Sequence, residues 1–356
     1  MKETRANELV TYFKNLNDTR RSCRTIYLLE EILFLVLCAV TASAESFRDI
    51  VQYGEYKLDF LRQYLPYKYG IPGKSTIARV LASLDPKVFK CSFQSWADSF
   101  KLPKGSVIAI DGKALRRSHD RAKNLPAIYM VSAFASESRL VLGQQKVDSK
   151  SNEITAVPEL LKLIDVKENI VTLDAMGCQR TTVEDIVDRG GDYVISLKGN
   201  QGNLHEAVAL YLNSVADEKL KDPGSLVFES LNKGHGRVET RKCWATESID
   251  WLDQKSDWKG LKSIVMIEST RVLKKGTEVE RRFFISSLPA NPELFISVIR
   301  QHWAIENNLH WVLDVVFGED SSRVRDRNSA ENLAIIRHFA MNLIQQAKKA
   351  HKLKDV

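Results

Sequence analysis

Two short apolar runs, each closed by an aspartate and a glycine-containing break, constrain this chain more than any other feature. Val107, Ile108, Ala109 and Ile110 lead into Asp111 and Gly112, and Ile170, Val171 and Leu173 lead into Asp174, after which Ala175 to Gly177 interrupt the run. Apolar runs of this length bounded by turn formers read as buried strands, each delivering a carboxylate to the edge or end of a sheet. A third acid, Glu306, lies in FISVIRQHWAIENNLHWVLDVVFGED, where Ile296, Ile299, Trp303, Leu309 and Leu313 recur at roughly helical spacing. Glu306 is therefore expected to project from a helix.

Any one of the 45 acids in the chain is by itself an ordinary strand-end or surface residue. The three in these contexts suggest a divalent-metal site for phosphoryl transfer. Mg²⁺ takes oxygen ligands, usually one or two carboxylates together with waters and substrate phosphate oxygens. Three acids from separate elements suit two such ions, one activating the attacking hydroxyl or water and one stabilising the leaving oxygen.

The 356 residues suffice for two domains or one elaborated domain, and 44% hydrophobic content supports a sizeable core. A net charge of +7 and a pI near 9.0 favour a polyanionic partner. The five cysteines, Cys23, Cys38, Cys91, Cys178 and Cys243, form no CxxC pair. They argue against zinc modules and disulfide scaffolds and fit a reducing cytoplasm. The apolar run Ile32 to Ala44 is flanked by Glu30, Glu31 and Glu45 and is shorter than the ~20 residues that span a bilayer, so it reads as a buried core helix. No secretory signal is apparent.

Residues 1 to about 104 have a helical texture: an arm with Arg20, Arg21 and Arg24, the core helix near 28 to 44, and an amphipathic stretch from Phe47 to Leu65. After Gly70-Ile71-Pro72-Gly73, Ser75 or Thr76 is expected to cap a short helix through Leu84 that carries Lys74 and Arg79. This is either the skeleton of a helix-turn-helix reader or a bundle packed on the remainder of the protein. From 105 to about 200 the pattern alternates: strands to Asp111, near Ala127 to Ala135, Leu140 to Val147, to Asp174 and Tyr193 to Leu197, with helices near Val157 to Ile164 and Val183 to Arg189. That is a mixed sheet with flanking helices. Between about 203 and 294, segments near Phe228 to Leu231, Val238 to Ala245, Lys262 to Leu273 and Val279 to Ser286 read as a β-rich insertion, and a last helix runs from Ala330 to about Ala347.

Lys198 and the backbone after it, in SLKGNQ, are suited to holding a phosphate or to forming a plain surface turn. Arg237, Glu239 and Arg241 alternate and so share one strand face, free to meet phosphates or to pair among themselves. His302, Glu306 and His310 are four apart, a spacing that also suits a transition metal. The order is not that of the HExxH proteases, no cysteine accompanies it, and the histidines are read as positioning DNA or ordering Glu306. Trp303 and Trp311 are expected to pack the helix rather than stack on a splayed base. Arg300 before Glu306, and Arg323, Arg325 and Arg327 after it, are candidate phosphate contacts.

The strings IAIDGKALRRSHD, VTLDAMGCQR, YVISLKGNQ, GHGRVETR and HWAIENNLHWVLDVVFGEDSSRVRDRNSAENLAIIRHFAMNLI resemble the H-repeat-associated insertion-sequence transposases, a branch of the DDE transposases, and the likeness runs from about Tyr27 to Ile344. The wider group has a Tyr, Arg, Glu, Lys signature around its third acid, where this chain has Ile299, His302, Glu306 and Leu313; the His-Trp-x-Ile-Glu-Asn form is that of the H-repeat branch. The resemblance implies an α/β, RNase H-like catalytic domain over 105–356 with the insertion at about 203–294, preceded by a helical N-terminal associated domain over 1–104 for DNA-end binding. It implies that Asp111, Asp174 and Glu306 hold Mg²⁺, with Mn²⁺ as substitute, for cleavage at insertion-sequence ends and transfer of the 3′-hydroxyl to target DNA. A metal nuclease without strand transfer and a domesticated DNA-binding protein are the alternatives. Candidate DNA contacts across the chain are Arg116, Arg117, Lys198, Asn200, His235, Arg237, Arg241, Arg300, His302, His310, Arg323 and Arg325. The expected partner is double-stranded DNA held by a homodimer, in a bacterial cytoplasm at the nucleoid, with no membrane association.

Overall fold

The structure, a computed structural model, describes residues 5–18, 20, 25–120, 123–147, 153–234, 237–273 and 276–352. Among them the chain opens with six helices: α1 (Arg5–Lys14), α2 (Leu29–Thr41), α3 (Phe47–Tyr56), α4 (Leu58–Leu61), α5 (Lys74–Ser83) and α6 (Pro86–Ala97). The alternating region follows as β1 (Val107–Leu115), β2 (Ile128–Ala135), β3 (Leu140–Val147), α7 (Glu153–Leu161), β4 (Ile170–Leu173), α8 (Arg180–Asp188) and β5 (Asp192–Leu197). The insertion is α9 (Gly202–Ala216), β6 (Leu226–Gly234), β7 (Arg237–Thr246), β8 (Ser263–Leu273) and β9 (Gly276–Ser286), and the chain ends in α10 (Pro292–Ile305), two wide turns, and α11 (Arg327–His351).

The nine strands form one sheet in the order β3-β2-β1-β4-β5-β9-β8-β7-β6. Pairing is parallel for β1 with β4 and β4 with β5, and antiparallel elsewhere. The mixed α/β sheet, its flanking helices and the helical N-terminal region match the expected RNase H-like class. The insertion is strand-rich as expected but begins with a helix, and it is no separate layer: β9 pairs with β5 and continues the same sheet.

Alternation along the strands sorts the core into two layers. Ile108, Ile110, Val171, Leu173 and Ile195 point to the face covered by α7, α8 and α9, whereas Val107, Ile170 and Val194 meet Phe295, Ile296, Val298 and Ile299 of α10 on the other. Ala109, Phe134 and Val141 on this second face meet α11 and the N-terminal helices. Phe339 of α11 lies at the centre, its ring 5.5 Å from Phe13, 4.9 Å from Phe93 and 5.0 Å from Trp96. Asn332, fully buried, donates to the carbonyls of Leu81 and Leu84 at 2.9 Å each and caps the end of α5.

Two local expectations are corrected. The strand expected to end at Asp111 runs on to Leu115, because antiparallel pairing with β2 continues through Asp111↔Ser132 and Gly112↔Val131 after parallel pairing with β4 has stopped at Ile110↔Leu173. The helix expected to be capped by Ser75 or Thr76 begins at Lys74, with Gly73 at its N-cap and no side-chain cap. Of the basic arm, Arg20 forms an ion pair with Asp18 at 2.6 Å, and Arg21 and Arg24 lie outside the described residues.

Candidate active site

The register of β1 and β4 puts the first two acids side by side. Ile110 pairs with Leu173, so Asp111 and Asp174 are the next residues on adjacent strands, whose backbones lie about 5 Å apart. Asp111 continues the parity of Val107 and Ala109, and Asp174 that of Ile170 and Thr172, which directs both towards the α10 face. Asp174 Oδ1 accepts from the backbone N–H groups of Met176 at 2.9 Å and Gly177 at 3.2 Å. A Cβ on Gly177 would come within 2.8 Å of the Leu173 side chain, so this turn requires glycine. Asn200 and Gln201 brace it from the loop after β5, donating to the carbonyls of Ala175 at 2.6 Å and Cys178 at 2.7 Å.

Helix α10 carries the third acid. It is tied to the sheet at two places: Ser136 Oγ donates to the Gln301 carbonyl at 2.8 Å, and Thr172 Oγ1 is 2.9 Å from His302 Nδ1. Beyond Ile305 the helix widens into π turns at Glu306–His310 and Val312–Val316. Such i→i+5 turns are rare and occur often at functional sites. Glu306 is the first residue of the widened segment, and together with Asp111 and Asp174 it lines a cavity of about 480 Å³. The first two carboxylates stand in the wall, and that of Glu306 is more than half exposed.

The donor set fits hard divalent cations: three carboxylates face one cavity, and Asp174 has one oxygen committed to the backbone and one that is not. Donor atoms of Asp111, Glu306 and His310 lie within 4.8 Å of one another. Burial pushes His302 down to about 4 against the opposing pull of Asp174 and Glu306, so its ring is neutral at neutral pH. His310 is also pushed down by burial, with Glu306 pulling the other way.

The candidate contacts fall into three groups. Lys198 and His302 line the same cavity as the acids, joined by Arg281 and Arg282 of β9. Arg241 and Arg300 line a neighbouring cleft of about 360 Å³ with Arg271 and Arg282. Glu239 pairs there with Arg241 at 2.6 Å and with Arg271 at 3.3 Å. Arg116, 3.3 Å from Asp320, and Arg117, Arg323 and Arg325 are exposed outside both cavities, and His310 is buried behind Glu306. His235 and the side chain of Arg237 lie outside the described residues. The two tryptophans are not core residues as expected: Trp303, on the regular part of α10, is 48% exposed and Trp311, between the two wide turns, is 55% exposed. Trp303 lies between the two cavities with the Arg282 guanidinium 4.7 Å from its ring centre.

Sequence reasoning missed a buried charge cluster behind the acids. Lys113, two residues past Asp111, pairs with Asp314 and with Glu319 at 2.6 Å, and Arg337 of α11 reaches Glu319 at 3.4 Å. Burial pulls the Lys113 ammonium down, but Glu319 and Asp314 more than reverse this and hold it above its ordinary value. Burial likewise pushes the Glu319 carboxyl up, and Arg337 and Lys113 outweigh it, leaving the group below the usual range. The cluster joins β1 to the segment after Glu306. Its one sequence signal is the placement of Lys113 on the same strand face as Asp111.

Known proteins resemble this chain over most of its length. Residues 102–343 match the family described as Transposase DDE domain, and residues 10–97 match the one described as DDE_Tnp_1-associated. The "H repeat-associated putative transposase YhhI" of Escherichia coli K12 is 41% identical over 347 residues, covering 96% of this chain and 91% of that protein. The "Putative transposase YncI" of Escherichia coli O157:H7 is 40% identical over 351 residues, covering 96% of this chain and 88% of that one. Among solved structures, a piggyBac transposase synaptic complex with hairpin DNA aligns over 98% of this chain and 73% of its own at 13% identity, with a TM-score of 0.42.

Proposed function

The chain belongs to the transposase DDE-domain family and is a DDE-type DNA transposase, and from that premise we propose that Asp111, Asp174 and Glu306 are its catalytic, metal-binding carboxylates. The observation that carries this is the register Ile110↔Leu173, which sets two of the acids side by side at the wall of the cavity that Glu306 overhangs. Family membership implies divalent-metal use. Mg²⁺, with Mn²⁺ as substitute, is the ion we assign. Bound there, it would supply an activated water or 3′-hydroxyl and stabilisation of the leaving oxygen.

The residues around it have separable tasks. Asp174 is held by its turn and by Asn200 and Gln201, so its free oxygen keeps a fixed direction. Neutral His302 orders α10 through Thr172 without placing a further positive charge beside the acids. Lys198, Arg281 and Arg282 line the same cavity and supply positive charge for phosphates of DNA entering it. Arg116, Arg117, Arg323 and Arg325 extend the basic surface from outside the cavity. Cleavage at insertion-sequence ends and joining of the 3′-hydroxyl to a target follow, on duplex DNA held by a homodimer at the nucleoid, with the N-terminal helices over 1–104 contributing to end binding and 105–356 to catalysis. No helix among the described residues is long and apolar enough to cross a membrane.

The test is an assay of the full chain on DNA carrying the sequences that flank its gene, with Mg²⁺, Mn²⁺ or EDTA. Metal-dependent cleavage and joined products, lost in Asp111→Asn, Asp174→Asn and Glu306→Gln while DNA binding stays equal or tightens, are expected. Cleavage without joining would select the nuclease reading, and residual cleavage in any of the three variants would remove that acid from the site.

A further inference from the structure

His310 is 6% exposed and sits one wide turn beyond Glu306. Its Nδ1 lies 3.6 Å from Asp111 Oδ2 and 3.5 Å from Glu306 Oε2. Those separations exceed the roughly 2.7–3.2 Å of a good N–H···O hydrogen bond, yet two metal–donor bonds of about 2.1 Å each reach across them. The other ring nitrogen, Nε2, is buried with no hydrogen-bond partner. No bond at Nε2 accounts for the ring's place, and a buried nitrogen left unpaired costs about 1–3 kcal/mol. What the position gains is Nδ1, a nitrogen donor facing the gap between two carboxylates that come from different elements, β1 and the widened helix.

Resting on the reading of Asp111 and Glu306 as cation ligands, we infer that His310 Nδ1 is the third protein donor to the ion those two carboxylates share. A nitrogen donor tilts this position away from Mg²⁺, which takes oxygen, towards Mn²⁺ and later first-row ions. On the same reading, a neighbouring position between Asp111 and Asp174, which line the same cavity, would be all oxygen, and the protein would carry two unlike cation positions that share the Asp111 carboxylate. His302 is a built-in control: it also lines the cavity, but its Nδ1 is engaged by Thr172.

The test is titration of the full chain with Mn²⁺ alone, counting bound ions from the loss of the free-ion resonance and detecting bound nitrogen by electron spin-echo modulation. Wild type and His302→Gln are expected to show nitrogen coupling to bound Mn²⁺. His310→Gln is expected to bind Mn²⁺ about tenfold more weakly, without the coupling, and to lose less affinity for Mg²⁺. Absence of coupling in the wild type, or its persistence in His310→Gln, overturns the inference. Asp111→Asn separates this from failure of the site itself. Unchanged Mn²⁺ binding in that variant removes the carboxylate site, whereas lost binding alongside an uncoupled wild type keeps the site and removes His310. Where His310→Gln does not fold, His205→Gln completes the test, because His205 and His302 both line the cavity; coupling that survives in each of those variants supports His310, and its loss in either overturns the inference.

Discussion

His338 of α11 is 2% exposed, and burial pushes its imidazole down to about 4. The unfolded chain takes up this proton first as pH falls, near the ordinary value of about 6.5. The stability tied to the neutral ring is therefore complete above about pH 6.5 and is lost as pH falls from there to about 4, on the order of 3 kcal/mol in total. Glu319 acts in the same direction at lower pH, since its lowered carboxyl contributes stability that disappears as pH falls through its folded value. Urea unfolding from pH 7 to 4 should show a falling free energy, with a shallower slope in His338→Gln; equal slopes would show that His338 is not the group responsible. The sequence singled out Asp111, Asp174 and Glu306 through their specific flanking strings, and the structure brings the three to one cavity. His338, Glu319 and Arg337 were not legible in it: a charged residue in a helical run reads as solvated until its partner is known, and those partners come from segments that no local pattern links.

At the level of elements, the geometry of the proposed site comes from two departures from regularity. Strand β1 changes its set of partners at Asp111, losing β4 while keeping β2, so the carboxylate emerges where one side of the strand is open. Local pattern could not show this, because Gly112 reads as a stop and only the cross-strand ladder carries the chain past it. Helix α10 then widens at Glu306, and apolar spacing does not distinguish an α-helix from a short π segment. The widened segment is held by Lys113 through Asp314 and Glu319. Lys113→Met leaves Asp314 without its cation and Glu319 with Arg337 alone, and is expected to cost about 3–5 kcal/mol. It should also accelerate amide exchange over residues 306–316 more than over β4 and β5. Uniform acceleration would mean that the lysine stabilises the fold as a whole and not the segment bearing the third acid.

Across the whole molecule, the N-terminal helices and the sheet are not separable by packing. Phe339, near the C-terminus, is ringed by Phe13, Phe89, Phe93 and Trp96 from the N-terminal region. Phe339→Ala is expected to lower the stability of both parts together by about 3–5 kcal/mol, seen as one shifted transition in calorimetry. A fragment beginning at residue 105 should expose that aromatic face and fail to fold alone; a soluble fragment with a cooperative melt would refute the shared core. The insertion carries a different consequence, one of timing. It stands between the second acid and the third, so a ribosome making this chain releases Asp111 and Asp174 on the order of ten seconds before Glu306 emerges. Until then the growing polypeptide holds only two of the three carboxylates proposed to cut DNA. If those three carboxylates act together as proposed, any chain that ends early, anywhere in β6 to β9, would be inert towards the genome that encodes it because of the order in which its parts are made.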